Sequence, residues 1–98
     1  MRKHYSDYVR HCTRLYFNTG TTPNPLNDKV KYNNYISVSN VLDRYDSKMA
    51  CMLREVYTSE IIPKAVDKYA TKEGCKSEEI WYMIQRYEKD VAVERGLL

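Results

Sequence analysis

Apolar residues recur at helical spacing along the chain, and no stretch alternates between apolar and polar residues as a strand would. Tyr5, Tyr8, Cys12 and Leu15 follow one another at steps of three and four residues, which predicts an amphipathic helix over about residues 3–18. Val9 and Tyr16 widen this stripe, and we expect it to be the buried face of the first helix.

The same spacing predicts two further helices in the middle of the chain. They cover about residues 30–45 and 48–58, and the second of them is capped by Asp46 or Ser47. The segment from Thr21 to Asp28 carries two prolines, so it is predicted to be the loop that follows the first helix.

The C-terminal third predicts two helices that meet at a glycine. Pro63 fits best near the start of the fourth helix, and Gly74 stands where a helix C-cap is expected. Ser77 is expected to cap the fifth helix, which ends at Gly96. The expected inward residues are Val66, Tyr69 and Ala70 in the fourth helix and Ile80, Ile84, Tyr87 and Val91 in the fifth, with Trp81 at the edge of the core. The predicted fold class is all-α, a single domain over residues 1–98 built as a small bundle of about five helices.

This pair of helices fits the general helix-turn-helix pattern. The pattern needs a small residue where the second helix crosses the first, and Ala70 occupies that position. Gly74, four residues later, suits a sharp turn with a positive φ. Ile80 and Met83 follow where the second helix docks on the first. The sequence therefore predicts a helix-turn-helix over residues 62–93, and an ordinary helical corner is the alternative.

In a DNA-binding motif of this kind the second helix presents its N-terminal side chains to the major groove. The residues predicted to meet base edges are Lys76, Ser77, Glu78, Tyr82 and Gln85. Among them, Gln85 suits adenine and Glu78 suits the cytosine amino group. The predicted phosphate contacts are Arg86 and Lys89, together with Lys64, Lys68 and Lys72 at i, i+4 and i+8 in the fourth helix. A solvated helix face is the alternative interpretation of the three lysines.

The charge distribution gives a mixed indication. The formal net charge of +3 arises in residues 1–20, where Arg2, Lys3, Arg10 and Arg14 outnumber Asp7. A basic segment suits a phosphate backbone or an acidic protein, and a solvated face is the alternative. Residues 76–95 hold four basic and five acidic side chains, a net charge of −1. We therefore expect DNA binding by this domain alone to be weak, and to need a dimer, the first helix or a partner.

No residue pattern predicts an enzyme, a metal site or a cofactor. Cys12, Cys51 and Cys75 are far apart in the sequence and form no zinc-binding pair, so free thiols in a reducing cytoplasm are expected. His4 and His11 can share a face of the first helix, but no third group is evident to orient them for catalysis. No apolar run approaches the roughly 20 residues that span a membrane.

The two ends of the chain resemble a family of small phage-encoded transcriptional regulators. MRKHYSDYV at the start and SEEIWYMIQRYEKDVAVERGLL at the end are similar to regulators of the RinA/ArpU kind, which resemble region 4 of bacterial sigma factors. The resemblance implies a prophage or mobile-element origin and a helix-turn-helix that controls transcription of late or packaging genes. It places the start of the recognition helix at Ser77. The acidic balance of that helix and the loop with two prolines depart from the family pattern.

Two functions therefore stand side by side. The first is a cytoplasmic transcriptional regulator that binds double-stranded promoter or operator DNA through residues 62–93. The second is a protein-interaction module without DNA affinity, which binds host RNA polymerase or another host factor through the first helix and the tyrosine-rich surface. A homodimer through Tyr5, Tyr8 and Leu15 is left open, since the same stripe can cover the protein's own core.

Overall fold

Five helices make up the part of the chain that the structure describes. The computed structural model describes residues 5–98, so the predicted basic residues Arg2 and Lys3, and also His4, lie outside the described residues. The helices are α1 (Ser6–Thr19), α2 (Lys29–Leu42), α3 (Ser47–Tyr57), α4 (Ile62–Glu73) and α5 (Ser77–Arg95). No strand occurs in residues 5–98, and no helix there is both long and apolar enough to cross a bilayer. The all-α prediction is confirmed.

Short polar side chains and glycine fix the helix ends, as the sequence indicates. The Asp28 carboxylate accepts from the backbone N–H of Lys31 at 3.0 Å, and the Asp46 carboxylate accepts from that of Met49 at 2.8 Å. Each satisfies a donor that the first turn of a helix leaves unpaired. Because Asp46 makes this hydrogen bond, Asp46 rather than Ser47 is the cap of α3. Gly20 ends α1 in the left-handed conformation with φ +75°.

One hydrophobic core runs through all five helices. α2 packs against α1 and α5, and α4 packs against α3 and α5. Tyr57 and Tyr87, the largest fully buried side chains of the described residues, lie within it with their ring centroids 5.6 Å apart. Trp81 is half-buried against the core, as predicted. The inward residues predicted for α4 and α5 are all buried: Val66, Tyr69, Ala70, Ile80, Ile84, Tyr87 and Val91.

The buried face of α1 matches the predicted stripe only in part. Tyr5, Val9 and Cys12 are buried as predicted, whereas Tyr8 and Leu15 are 38% and 40% exposed. Thr13, which the stripe leaves out, is fully buried: its Oγ1 donates to the carbonyl of Val9 at 2.9 Å and lies 2.6 Å from the Tyr87 hydroxyl. A threonine can be buried when its hydroxyl is hydrogen-bonded.

The three cysteines are free thiols, as the sequence predicts. Cys12 is buried, Cys51 is exposed and Cys75 is half-buried beside the core. Burial raises the pKa of the Cys12 thiol to about 11, so this thiol stays protonated at neutral pH. Among residues 5–98, no three His, Cys, Asp or Glu side chains are grouped so that they can hold a metal ion.

Candidate nucleic-acid interface

Residues 74–76 form the corner between α4 and α5. Gly74 has φ +69° and ψ +29°, a left-handed conformation that costs a residue with a Cβ about 1–2 kcal/mol. Its N–H donates to the carbonyl of Thr71 at 3.3 Å, and the N–H of Cys75 donates to that of Ala70 at 3.0 Å. These two hydrogen bonds form a Schellman motif, which ends α4 and turns the chain sharply.

The corner docks the start of α5 against α4. Ala70 is 3% exposed and Ile80 is 1% exposed, while Met83 is half-buried against the core. The small side chain of Ala70 lets the two helices approach, and Ile80 covers the apolar surface beside it. One face of α5 is therefore fixed inward, and the opposite face is left to solvent.

Ser77 does not cap α5 as predicted. The N-cap residue is Lys76, whose backbone N–H donates to the carboxylate of Glu79 at 3.3 Å. Ser77 is the first helical residue, and its hydroxyl donates to Asp67 Oδ1 at 2.6 Å. Since Asp67 lies on α4, this hydrogen bond ties the two helices together. Ser77 is half-buried and is not part of the outward face.

The outward face of α5 carries four residues at steps of four, three and four. They are Glu78, Tyr82, Gln85 and Lys89, and all four are exposed. Tyr82 is 67% exposed, an unusually open position for an aromatic side chain. Arg86 is also exposed, on the next row of the helix, and Lys76 is exposed at its start. These residues were predicted to meet DNA, and the structure brings them to one uncovered surface.

Three of the five acidic residues of α5 face inward or sideways to partners, so the net charge of −1 over residues 76–95 is not all displayed on the outward face. Glu88 is 2% exposed and accepts from Arg10 Nε at 2.8 Å and from the Tyr57 hydroxyl at 2.6 Å. Asp90 accepts from the Tyr45 hydroxyl, and Glu94 accepts from Arg44 and Asn40. Arg86 and Lys89, in contrast, form no ion pair within residues 5–98.

Glu88 is a structural residue that the sequence analysis missed, and it joins α5 to both α1 and α3. Burial alone would lower the pKa of Arg10, but the hydrogen bond and charge of Glu88 outweigh it and raise that pKa. Burial raises the pKa of Tyr57, and the Glu88 carboxylate raises it further. The available signal was spacing, since Glu88 falls four residues after Ile84 on the inward stripe.

The two arginines of α1 are engaged inside the fold, which corrects the prediction of a free basic face. Arg10 pairs with Glu88, and Arg14 donates to the carbonyls of Tyr57 at 3.1 Å and Ser59 at 3.5 Å. Those carbonyls lie at the C-terminal end of α3, where a cation also complements the helix dipole. The described part of the basic segment therefore holds helices together and offers no free arginine to phosphates.

The lysine row of α4 is exposed but lies beside acidic residues. Lys72 Nζ is 4.0 Å from Glu55 Oε2 and 5.7 Å from the centre of the Tyr69 ring. Lys64 and Lys68 border a shallow groove that Glu55 and Glu60 also line. The positive potential of this row is partly compensated, most directly at Lys72, which lies beside Glu55.

The corner and the outward face of α5 provide the grounds on which a function can be argued. No family model, curated protein or solved structure matches this chain. The geometry and chemistry of α5 are therefore the basis for proposing a function.

Proposed function

We propose that this protein binds duplex DNA by inserting the outward face of α5 into the major groove. One observation carries the proposal: docking at the Gly74 corner leaves Glu78, Tyr82, Gln85 and Lys89 in a single exposed row. A helix of this kind fits the width of the major groove, and its N-terminal half supplies the side chains that read bases.

Each exposed residue has a role that follows from its chemistry. The Gln85 amide offers a donor and an acceptor to adenine, and the Glu78 carboxylate accepts from the cytosine amino group. Arg86 and Lys89 supply phosphate contacts, since neither has an ion-pair partner within residues 5–98. Lys64, Lys68 and Lys72 of α4 supply weaker contacts, because Glu55 and Glu60 lie beside them.

The resemblance to the RinA/ArpU regulators supports a more specific role. On that basis the protein is a phage-type transcriptional regulator that acts in the bacterial cytoplasm on promoter or operator DNA. A surface with only two uncompensated cations on α5 supports weak binding by one copy, so a second copy or RNA polymerase contributes to tight promoter binding.

Titration of a fluorescently labelled duplex at about 50 and 200 mM salt tests the proposal. We expect binding at the lower salt and a steep loss of affinity at the higher one, because counterions released from the phosphates drive the association. Lys68→Glu with Lys72→Glu is expected to weaken binding further. If this double variant binds as the unmodified protein does, the lysine row is not part of the interface.

A protein-interaction module is the second candidate, and exposed apolar side chains favour it. Tyr82 is 67% exposed and Val93 is 58% exposed, and their spacing of eleven residues places both on the outward face of α5. Exposed tyrosines are common anchors at protein interfaces, and Val93 adds apolar surface on the same face of the helix. Absence of duplex binding at the lower salt, together with binding to a host protein such as RNA polymerase that is lost on Tyr82→Ala, would favour this function.

A further inference from the structure

A groove of about 740 Å³ runs between the start of α1 and the middle of α5. Its volume falls in the range of roughly 300–1,000 Å³ that small-ligand sites span. Tyr5 and Ser6 of α1 form one side, and Trp81, Gln85 and Lys89 of α5 form the other. The groove shares Tyr82, Gln85, Arg86 and Lys89 with the proposed duplex interface, whereas Trp81 belongs to the groove alone.

The α5 side of this groove presents an ordered series of chemical groups. Trp81, Gln85 and Lys89 are spaced at i, i+4 and i+8, so they form one row along the helix about 12 Å long. The row begins with an indole ring, continues with an amide that both donates and accepts, and ends with an ammonium group. Tyr82 adds a second aromatic ring at the rim.

The lining of the groove has a net charge of +1, since Arg10, Arg86 and Lys89 outnumber Glu88 and Asp90. Its two acidic residues, Glu88 and Asp90, accept hydrogen bonds from Arg10, Tyr57 and Tyr45. Arg10 is neutralised by Glu88 in the same pair. Arg86 and Lys89 line the groove without an ion-pair partner in the described residues. The groove is therefore complementary to an anionic ligand that also has a flat aromatic part.

We propose that this groove binds single-stranded DNA, with an unpaired base stacked on Trp81 and the adjoining phosphate held by Lys89 and Arg86. Aromatic side chains beside a cationic groove are the combination by which proteins hold unpaired bases, and every base has a face that can stack. The choice of DNA over RNA rests on the proposed function, because a duplex against α5 brings its strands next to this groove.

The protein's single tryptophan makes the proposal directly measurable. We expect a twelve-nucleotide oligothymidylate to quench the Trp81 emission saturably at about 50 mM salt, because a stacked base lies against the indole. The same titration is run with oligouridylate of equal length. The expected result is quenching at lower concentration by the deoxy strand, and tighter binding of the ribo strand would overturn the assignment to DNA.

Substitutions at the stacking position provide the second readout, with a labelled oligothymidylate followed by anisotropy. Trp81→Leu is expected to weaken binding roughly 5- to 150-fold, the loss that removal of one base–aromatic stack produces. Trp81→Phe keeps an aromatic face and a core-filling ring, so its affinity is expected to stay within about threefold of the unmodified protein. Circular dichroism of each variant establishes that it is folded, and Lys29→Glu serves as a surface-charge control on α2.

Two results would overturn the proposal: an oligothymidylate that leaves the emission unchanged, or a folded Trp81→Leu protein that binds it with unchanged affinity. Arg86 and Lys89 serve both proposals, so the stacking on Trp81, which only the single-strand proposal uses, distinguishes the two. Duplex binding without quenching by the single strand would remove the groove proposal and leave the proposed function. Quenching by the single strand without duplex binding would remove the proposed duplex function and leave the groove as a site for single strands.

Discussion

Glu88→Ala is expected to lower the free energy of unfolding by about 3–5 kcal/mol, the usual cost of removing one partner of a buried ion pair. Glu88 is 2% exposed and accepts from both Arg10 and Tyr57. Its removal leaves the fully buried Tyr57 hydroxyl without its acceptor and Arg10 without its counter-charge. Since domains of this size are stable by only about 5–15 kcal/mol, the variant approaches the limit of folding.

Urea unfolding followed by circular dichroism measures this effect. Glu73→Ala is the matched control, because Glu73 forms an exposed ion pair with Lys48 at 3.4 Å and its loss is expected to cost less than about 1 kcal/mol. The double variant Arg10→Ala with Glu88→Ala is expected to lose less stability than the sum of the losses in the two single variants, because it leaves neither charge without its partner. Equal stability of the Glu88 and Glu73 variants would contradict the buried network.

Charge reversal on the free cations of α5 has the largest expected effect on DNA binding. Arg86→Glu with Lys89→Glu is expected to weaken duplex binding on the order of 100-fold at about 50 mM salt and to reduce the salt slope by about two. Two phosphate contacts are lost, and two new carboxylates repel the backbone. Both side chains are exposed and form no ion pair within residues 5–98, so the fold is expected to tolerate the change.

The control for that experiment changes the net charge equally at a distant surface. Lys29 and Lys31 lie in the first turn of α2, where glutamate also suits the helix dipole. Asn34 already contacts Arg95 at the C-terminal end of α5, so the first turn of α2 lies away from the outward face. Lys29→Glu with Lys31→Glu is expected to reduce affinity only through overall charge. Similar losses in both double variants would mean that DNA attraction is not localised on α5.

Local signals in the sequence were enough to predict the helices and the corner. Asp46 caps α3 and Gly74 closes α4 because each acts on backbone groups a few residues away. The inward stripe of α5 was predicted for the same reason, since the spacing of Ile80, Ile84 and Tyr87 fixes a single buried face.

Polar residues that pair across helices could not be placed from the sequence. The sequence alone assigns Glu88 to the surface, whereas in the fold Arg10 of α1 and Tyr57 of α3 donate hydrogen bonds to it. Thr13 falls outside the apolar stripe of α1, but its hydroxyl is hydrogen-bonded to the Tyr87 hydroxyl inside the core. Ser77 has the residue type and position of a cap, but its hydroxyl donates to Asp67, which lies ten residues away on another helix. In each case the direction of the side chain depends on a tertiary contact, and the spacing of hydrophobic residues does not predict that contact.

A proton–nitrogen correlation spectrum of the ¹⁵N-labelled protein, recorded with increasing duplex DNA at low salt, tests the central claim most directly. If α5 enters the major groove, the largest shift changes fall on the backbone amides of residues 76–89, and those of residues 29–42 in α2 change little. Shift changes concentrated in α2, or duplex binding that leaves the amides of residues 76–89 unmoved, would contradict the assignment of the DNA interface to α5.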